Sequence, residues 1–192
     1  GTLLQAEGNN SHDRLRDLPE GHWTGRREEN PGGPLTQLGV HVADNLIYLL
    51  GPVKRVSSFS NRMCQGWDVP DVTGTLLEFH SGLVGYIGSN YASPRWTAYT
   101  NLYGERASLY YDRFDGLRCL ERGRPEKVSL EFPEVDIVEE ELLEFARSMA
   151  TGIKPETDGQ VGLQALAVVR GAILSAERGE AVEVDELLEG GD

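Results

Sequence analysis

The sequence holds 23 glycines among its 192 residues, yet no two of them stand as Gly-x-Gly. That absence excludes the Gly-x-Gly-x-x-Gly turn that seats a dinucleotide pyrophosphate on a helix N-terminus. A Gly-x-x-x-x-Gly-Lys phosphate loop is missing as well. Cysteine is scarce: Cys64 and Cys119 are too few for a disulfide framework or a cysteine-based zinc site, and are expected as thiols in a reducing cytoplasm. His12, His22, His41 and His80 lack ligand spacing, so no metal site is expected. No unbroken apolar run reaches the roughly 20 residues of a membrane span, and no charged-then-apolar leader opens the chain. Lysine is rare too, 3 against 15 arginines, within a formal net charge of −13. An acidic balance argues against a nucleic-acid partner, because phosphates require a basic footprint.

The charge is concentrated. Residues 120–192 carry 18 acidic and 7 basic side chains, against 13 and 11 in the first 119. Such an acidic third reads as solvated helical surface. With 39% hydrophobic residues the chain can build a real core, and its length fits one domain over residues 1–192.

Periodicity then orders the elements. Thr2 to Ala6 reads as a strand, and residues 9–33 as a long polar loop of the kind that is usually functional. Pro34 suits the first turn of a helix whose buried face is Leu35, Leu38, Val42, Leu46 and Leu49, ending at Gly51-Pro52. Seven short strands follow: Val53–Ser60, Val72–His80, Leu83–Asn90, Trp96–Tyr103, Ala107–Tyr111, Leu117–Glu121 and Lys127–Phe132. Ser81-Gly82, Asp115-Gly116 and Arg122-Gly123 mark tight turns between them. Asp136 caps a helix with the stripe Val138, Leu142, Phe145, Ala146 and Met149, closed by Gly152. Asp158 caps another with Val161, Ala165, Leu166, Val169, Ala172, Ile173 and Ala176, closed by Gly179, before a short strand at Val182–Val184. The expected fold is α+β, a large, mostly antiparallel open sheet with helices packed on one face. The uncovered face is expected to be closed by a second copy, giving a homodimer or homotetramer.

Chemistry-bearing residues gather on the first helix. Gln37, His41 and Asn45 are spaced four apart, with Asp44 three beyond His41. Imidazole is the side chain suited to proton transfer near neutral pH, and Gln37, Asp44 or Asn45 could orient it. Spacing alone equally permits a packed, hydrogen-bonded histidine. In the loop before the helix, Trp23 can lie against a sugar face while Arg26 and Arg27 can hold an anion. The same residues also fit a solvated surface. Trp67 and Trp96 are pocket candidates that fit sheet or interface packing equally well.

The stretch Gly32-Gly33-Pro34-Leu35-Thr36-Gln37-Leu38-Gly39-Val40-His41-Val42-Ala43-Asp44, followed by Leu49-Leu50-Gly51, resembles the Gfo/Idh/MocA oxidoreductases. Their C-terminal domains carry a Gly-Gly helix start, Asp-x-Gly-x-His-x-x-Asp and a Leu-Leu-Gly end. Asp71 to Gly85 resembles their strand pair around Phe-x-x-Gly. Tyr103 to Leu109 resembles their Gly-x-x-Gly-x-Leu, with Arg106-Ala107 in place of the second glycine. Phe145 to Gly152, Pro155, Asp158-Gly159, Leu163–Gly179 and Val182–Val184 resemble the closing helices and strand.

The resemblance implies a substrate-binding and oligomerisation domain of an enzyme whose NAD(P)-binding Rossmann half is absent from this chain. The implied reaction is hydride transfer between nicotinamide and a sugar, polyol or related hydroxy compound. His41 matches the catalytic histidine, and Gln37 stands where many members have Asp and some an amide. The family's catalytic Lys of Glu-Lys-Pro belongs to the Rossmann half. Lys154-Pro155 is no counterpart, because it lies in the closing loop. The isolated chain is expected to bind no cofactor and to be inactive. The alternative is a non-catalytic relative serving oligomerisation or small-ligand binding.

Overall fold

The computed structural model describes residues 1–13, 16–64 and 66–189. Nine strands form one sheet: β1 (Leu3–Ser11), β2 (Val53–Asn61), β3 (Val72–Phe79), β4 (Val84–Asn90), β5 (Thr97–Gly104), β6 (Ala107–Asp112), β7 (Gly116–Glu121), β8 (Val128–Leu130) and β9 (Val182–Glu183). Their spatial order is β8-β7-β6-β5-β1-β4-β3-β2-β9. Every pairing is antiparallel except β1 with β4, which run parallel. The helices are α1 (Val40–Leu50), α2 (Ile137–Thr151), α3 (Gly159–Arg178) and α4 (Val184–Glu189).

β1 is longer than its first residues suggest. Asn9, Asn10 and Ser11 have poor strand propensity, yet β1 is inserted between β4 and β5 and paired on both sides. Tertiary pairing overrides local preference there. On the helix-facing side, Gly8 admits Val42 so closely that a Cβ would collide with its Cγ1, which lets α1 settle on the strand. Ala6, Val42, Leu46, Val56, Leu77, Phe79, Ile87, Val168, Val169 and Ala172 form the core between α1, α3 and strands β1–β4. Each such side chain contributes about 1.5–3 kcal/mol when fully buried. Ser175 fastens α3 to β2: its hydroxyl accepts from Ser58 N–H at 3.0 Å and donates to the Glu180 carbonyl at 2.6 Å.

Turns and caps follow the sequence reading. Gly82 has φ +84° at the β3–β4 hairpin, and Gly116 and Gly123 are also left-handed. Asp136 and Asp158 each accept two backbone N–H groups at the starts of α2 and α3.

Several expectations are corrected. The stripe of α2 is amphipathic, but no residue of α2 is buried; Val138, Leu142, Phe145 and Met149 are all exposed. Periodicity encodes a face without supplying its partner. Leu49 and Leu166 are likewise exposed, while Ala43, Ile47 and Val168 take core positions. The closing strand ends at Glu183, and Val184 begins α4. α3 is long and apolar enough to cross a membrane by length and composition, although Gln164 and Arg170 interrupt its apolar run, and it sits as a core helix with eight buried residues.

The opposite sheet face carries Phe59, Leu76, Val84, Tyr86, Tyr99, Tyr103 and Tyr110. On it the Tyr103 hydroxyl donates to Glu7 Oε1 at 2.6 Å, and Asn101 donates to the same oxygen at 2.8 Å. Burial, then the Glu7 hydrogen bond and charge, push the Tyr103 phenol up to about 12. An unfolded tyrosine ionises near 10, so the folded state keeps its proton longer. This contribution to stability is full below pH ~10 and lost as pH rises toward 12. Phenolate absorbance of the folded chain should show one fewer late-titrating tyrosine in Tyr103→Phe; an unchanged late amplitude in that variant would refute the assignment.

Candidate functional site

The helix carrying His41 does not start as an ordinary α-helix. Leu35–Gly39 form a π-helical turn in which Val40 N–H reaches back to the Leu35 carbonyl. Such turns insert an extra residue per turn and are frequent at functional sites. Gly39 makes this one fit: a Cβ there would stand 2.7 Å from Leu35 Cδ1 and 3.2 Å from Ser89 Oγ on β4. Gly33, at φ +55°, lies against the Pro70 carbonyl so closely that no side chain could stand there.

One buried tyrosine holds this turn. The Tyr91 hydroxyl accepts from Asn30 Nδ2 at 3.2 Å, and its single proton is shared between the Gly33 carbonyl at 3.0 Å and Gln37 Oε1 at 2.9 Å. Asn30 also donates to the Thr24 carbonyl at 2.7 Å, and Gln37 Nε2 reaches Thr24 Oγ1 at 3.4 Å. Both ends of the Gln37 amide are therefore engaged with the polar loop and β4 end, and not with His41. His41 is exposed, on the flank of α1 opposite the buried Val42, Ala43, Leu46 and Ile47. Among the described residues no side chain is hydrogen-bonded to it; neither Asp44 nor Asn45 serves as its orienting partner.

A second set of side chains converges a turn away. The Leu38 carbonyl, three residues before His41, accepts from Asn10 Nδ2 at 3.4 Å, and Asn10 Oδ1 accepts from Trp96 Nε1 at 2.9 Å. Alternation along β1 places Ala6, Gly8, Asn10 and His12 on the helix side. His12 then neighbours Trp96, with ring centroids 6.0 Å apart. The Arg113 guanidinium lies over the Trp96 ring at 4.3 Å. The structure thus ties Gln37 to Tyr91 at the helix start one turn before His41, and ties Trp96 to Asn10, His12 and Arg113. Sequence reading missed the last three as site residues; period-two alternation from Ala6 was the available signal for Asn10 and His12.

The remaining candidates are held elsewhere or otherwise. Trp67 packs with Leu18, Leu38, Val69 and Tyr91, and a Cβ at Gly25 would fall within its indole. Trp23 is half exposed beside the His22 ring. Arg26 pairs with Glu29 at 2.6 Å, and Arg27 with Glu177 of α3 at 2.8 Å. Buried Asp71 receives Met63 and Cys64 N–H at 2.8 Å each, fixing the loop that carries Trp67. A cleft of about 900 Å³ opens between the two loops, lined by Asp13, Arg26, Cys64, Trp67 and Asp68 among others, but not by Gln37 or His41. Among the described residues no group of three His, Cys, Asp or Glu side chains could hold a metal. The starts of α2 and α3 are capped by Asp136 and Asp158, and ahead of the first helix the Gly32 N–H donates to Thr36 Oγ1 at 3.1 Å.

Comparison with known proteins gives the same picture at family level. Residues 1–110 match the sequence profile described as the GFO/IDH/MocA C-terminal domain. D-apiose dehydrogenase of Paraburkholderia graminis is 25% identical over 168 residues, 78% of this chain and 44% of that protein. A crystal structure from Desulfitobacterium hafniense, assigned as an NADPH-dependent oxidoreductase, superposes with TM-score 0.92 at 35% identity, covering 98% of this chain and 58% of the other. Levoglucosan dehydrogenase, in complex with NADH, shares the fold at TM-score 0.81 and 19% identity, covering 96% of this chain and 59% of its own. The chain spans about half the length of these relatives.

Replacing Tyr91 with Phe removes the hydroxyl that serves Asn30, Gly33 and Gln37 while keeping the ring. Urea denaturation should show a loss of about 1–3 kcal/mol, the cost of leaving buried polar groups unserved. A change within ~0.5 kcal/mol, the ordinary surface range, would show that the network does not secure the π-turn.

Proposed function

The chain belongs to the GFO/IDH/MocA family of oxidoreductases, and from that premise we propose that it is the substrate-binding and oligomerisation domain of an NAD(P)-dependent enzyme acting on a sugar, polyol or related hydroxy compound. The carrying observation is that the family match covers His41, which stands exposed and without a side-chain partner among the described residues on a helix whose start is rigidly fixed. The dinucleotide is held by a part of the protein outside this sequence, and when bound it takes or gives the hydride.

On this reading His41 handles the proton. As the carbinol carbon is oxidised its hydroxyl must lose a proton, and an imidazole nitrogen within hydrogen-bond reach accepts it; in the reverse direction the imidazolium returns it. Gln37 acts as a positioning residue. Its ties to Thr24 and Tyr91 hold the π-turn, and so the start of the helix that presents His41. Trp96 and Asn10 form the wall toward the sheet, whereas Trp67 serves as a packing residue beneath the loop. Trp23, Arg26 and Arg27 lie on the loop that carries Thr24, the partner of Gln37, with both arginines already ion-paired.

In the full-length protein His41→Ala should lower kcat/KM by about 10²–10⁴-fold with the circular dichroism spectrum unchanged; an undiminished rate would exclude His41 as the proton carrier. The engaged Gln37 amide favours a second reading, a non-catalytic ligand-binding relative. Wild-type full-length protein that binds polyols but reduces no nicotinamide would support it.

The exposed face bearing Phe59, Leu76, Val84 and the tyrosines is the natural assembly surface under this proposal. Light scattering should give a dimer or tetramer, and Leu76→Glu should shift it toward monomer; a wild-type monomer at high concentration would defeat the assembly.

A further inference from the structure

Beyond the helix start, the sheet ends in a cluster whose two arginines the proton-transfer reading leaves unused. The Arg113 guanidinium lies 4.3 Å over the Trp96 ring, and the Arg95 guanidinium 4.8 Å over the Phe114 ring. The two rings meet edge to face at 6.2 Å, and the His12 ring meets Trp96 edge to face at 6.0 Å. Trp96 is itself fixed by the Asn10 hydrogen bond that leads back to Leu38. Two guanidinium groups are thus each stacked on one ring of an edge-to-face aromatic pair.

Neither guanidinium has a carboxylate within ion-pair reach among the described residues, although the protein carries a net charge of −13. The acids nearest in the chain serve other groups. Asp112 Oδ1 accepts the Phe114 and Asp115 N–H groups at 2.8 and 3.2 Å, Asp115 pairs with Arg118 at 3.1 Å, and Asp13 pairs with Arg16 at 3.1 Å. Stacking engages the face of a guanidinium and leaves its N–H edge free to donate two parallel hydrogen bonds to an anion. With Arg113 on one face of Trp96, that ring is better placed to orient a cation than to carry a sugar.

We propose that Arg113 and Arg95, stacked on Trp96 and Phe114, form an anion-recognition subsite that selects a sugar bearing a carboxylate, such as a uronic or aldonic acid, for the site at His41. This specificity rests on the substrate-side reading of that site, and its test does not depend on turnover.

The probes are D-glucuronate and D-glucose, which differ in one carboxylate, with acetate and inorganic phosphate as bare anions, titrated against the full chain by tryptophan fluorescence. Glucuronate should bind at least ~10-fold more tightly than glucose, about 1.4 kcal/mol, and the preference should weaken with salt. Arg113→Gln should cut the preference to under ~3-fold, about 0.6 kcal/mol. Arg95→Gln, which leaves the Trp96 stack intact, should reduce it as well, and Arg106→Gln should leave it unchanged. Both cluster arginines are exposed, so folded variants are expected and circular dichroism checks them. Equal binding of the two sugars overturns the proposal, as does no glucuronate binding by ~10 mM, the affinity range of a negligible contact. So does a full preference in folded Arg113→Gln. Acetate or phosphate binding as tightly as glucuronate would also overturn it, reducing the cluster to a bare anion site. His41→Ala should keep the preference, so a failure of the catalytic reading would appear in turnover alone.

Discussion

The Tyr91 hydroxyl joins three stretches of chain that are distant in sequence: the polar loop at Asn30, the glycine pair before the helix at Gly33, and the first helical turn at Gln37. Tyr91 is wholly buried and follows directly on β4, so the sheet end, the loop and the helix start share one fixed point. A buried network of this kind is strong only when its members are satisfied together. That constraint explains why an irregular loop and a π-turn can be held as firmly as regular structure. It also explains why Gln37 belongs to the scaffold, while His41, one turn on, is left available.

The two halves of the sheet differ in physical character. Strands β1–β4 lie under α1 and α3 and hold nearly all the core. Strands β5–β8 continue past the helices with no buried residue, and α2 presents Leu142, Phe145 and Met149 to solvent. The chain therefore has one well-packed half and one half whose apolar surface has no cover within the described residues.

Much of this was legible in the sequence, and the exceptions share a cause. Leu35, Leu38, Val42 and Leu46 announced the first helix, and left-handed Gly82, Gly116 and Gly123 stand where turns were expected. A π-turn is invisible to the same reasoning, since one extra residue in a turn barely alters the apolar spacing. The α2 stripe was read correctly as amphipathic, but a stripe does not name its partner. His41 could be singled out by spacing within one helix. The row formed by His12, Trp96 and Arg113 could not, because it exists only through the register of three strands. Side-chain constellations within one element are local information; those across strands are set by pairing.

The parallel pairing of β1 with β4 has a consequence for the order in which the molecule can assemble. β4 and β5 are consecutive in the chain yet never pair, because β1 stands between them. Without β1 the sheet would be two separate antiparallel meanders, β2–β4 and β5–β8, each built from local hairpins. β1 precedes both of its neighbours in the sequence and can join the two meanders only once β4 and β5 have both formed. Closure of the sheet is therefore a late, non-local event, and the platform beneath His41 exists only after it.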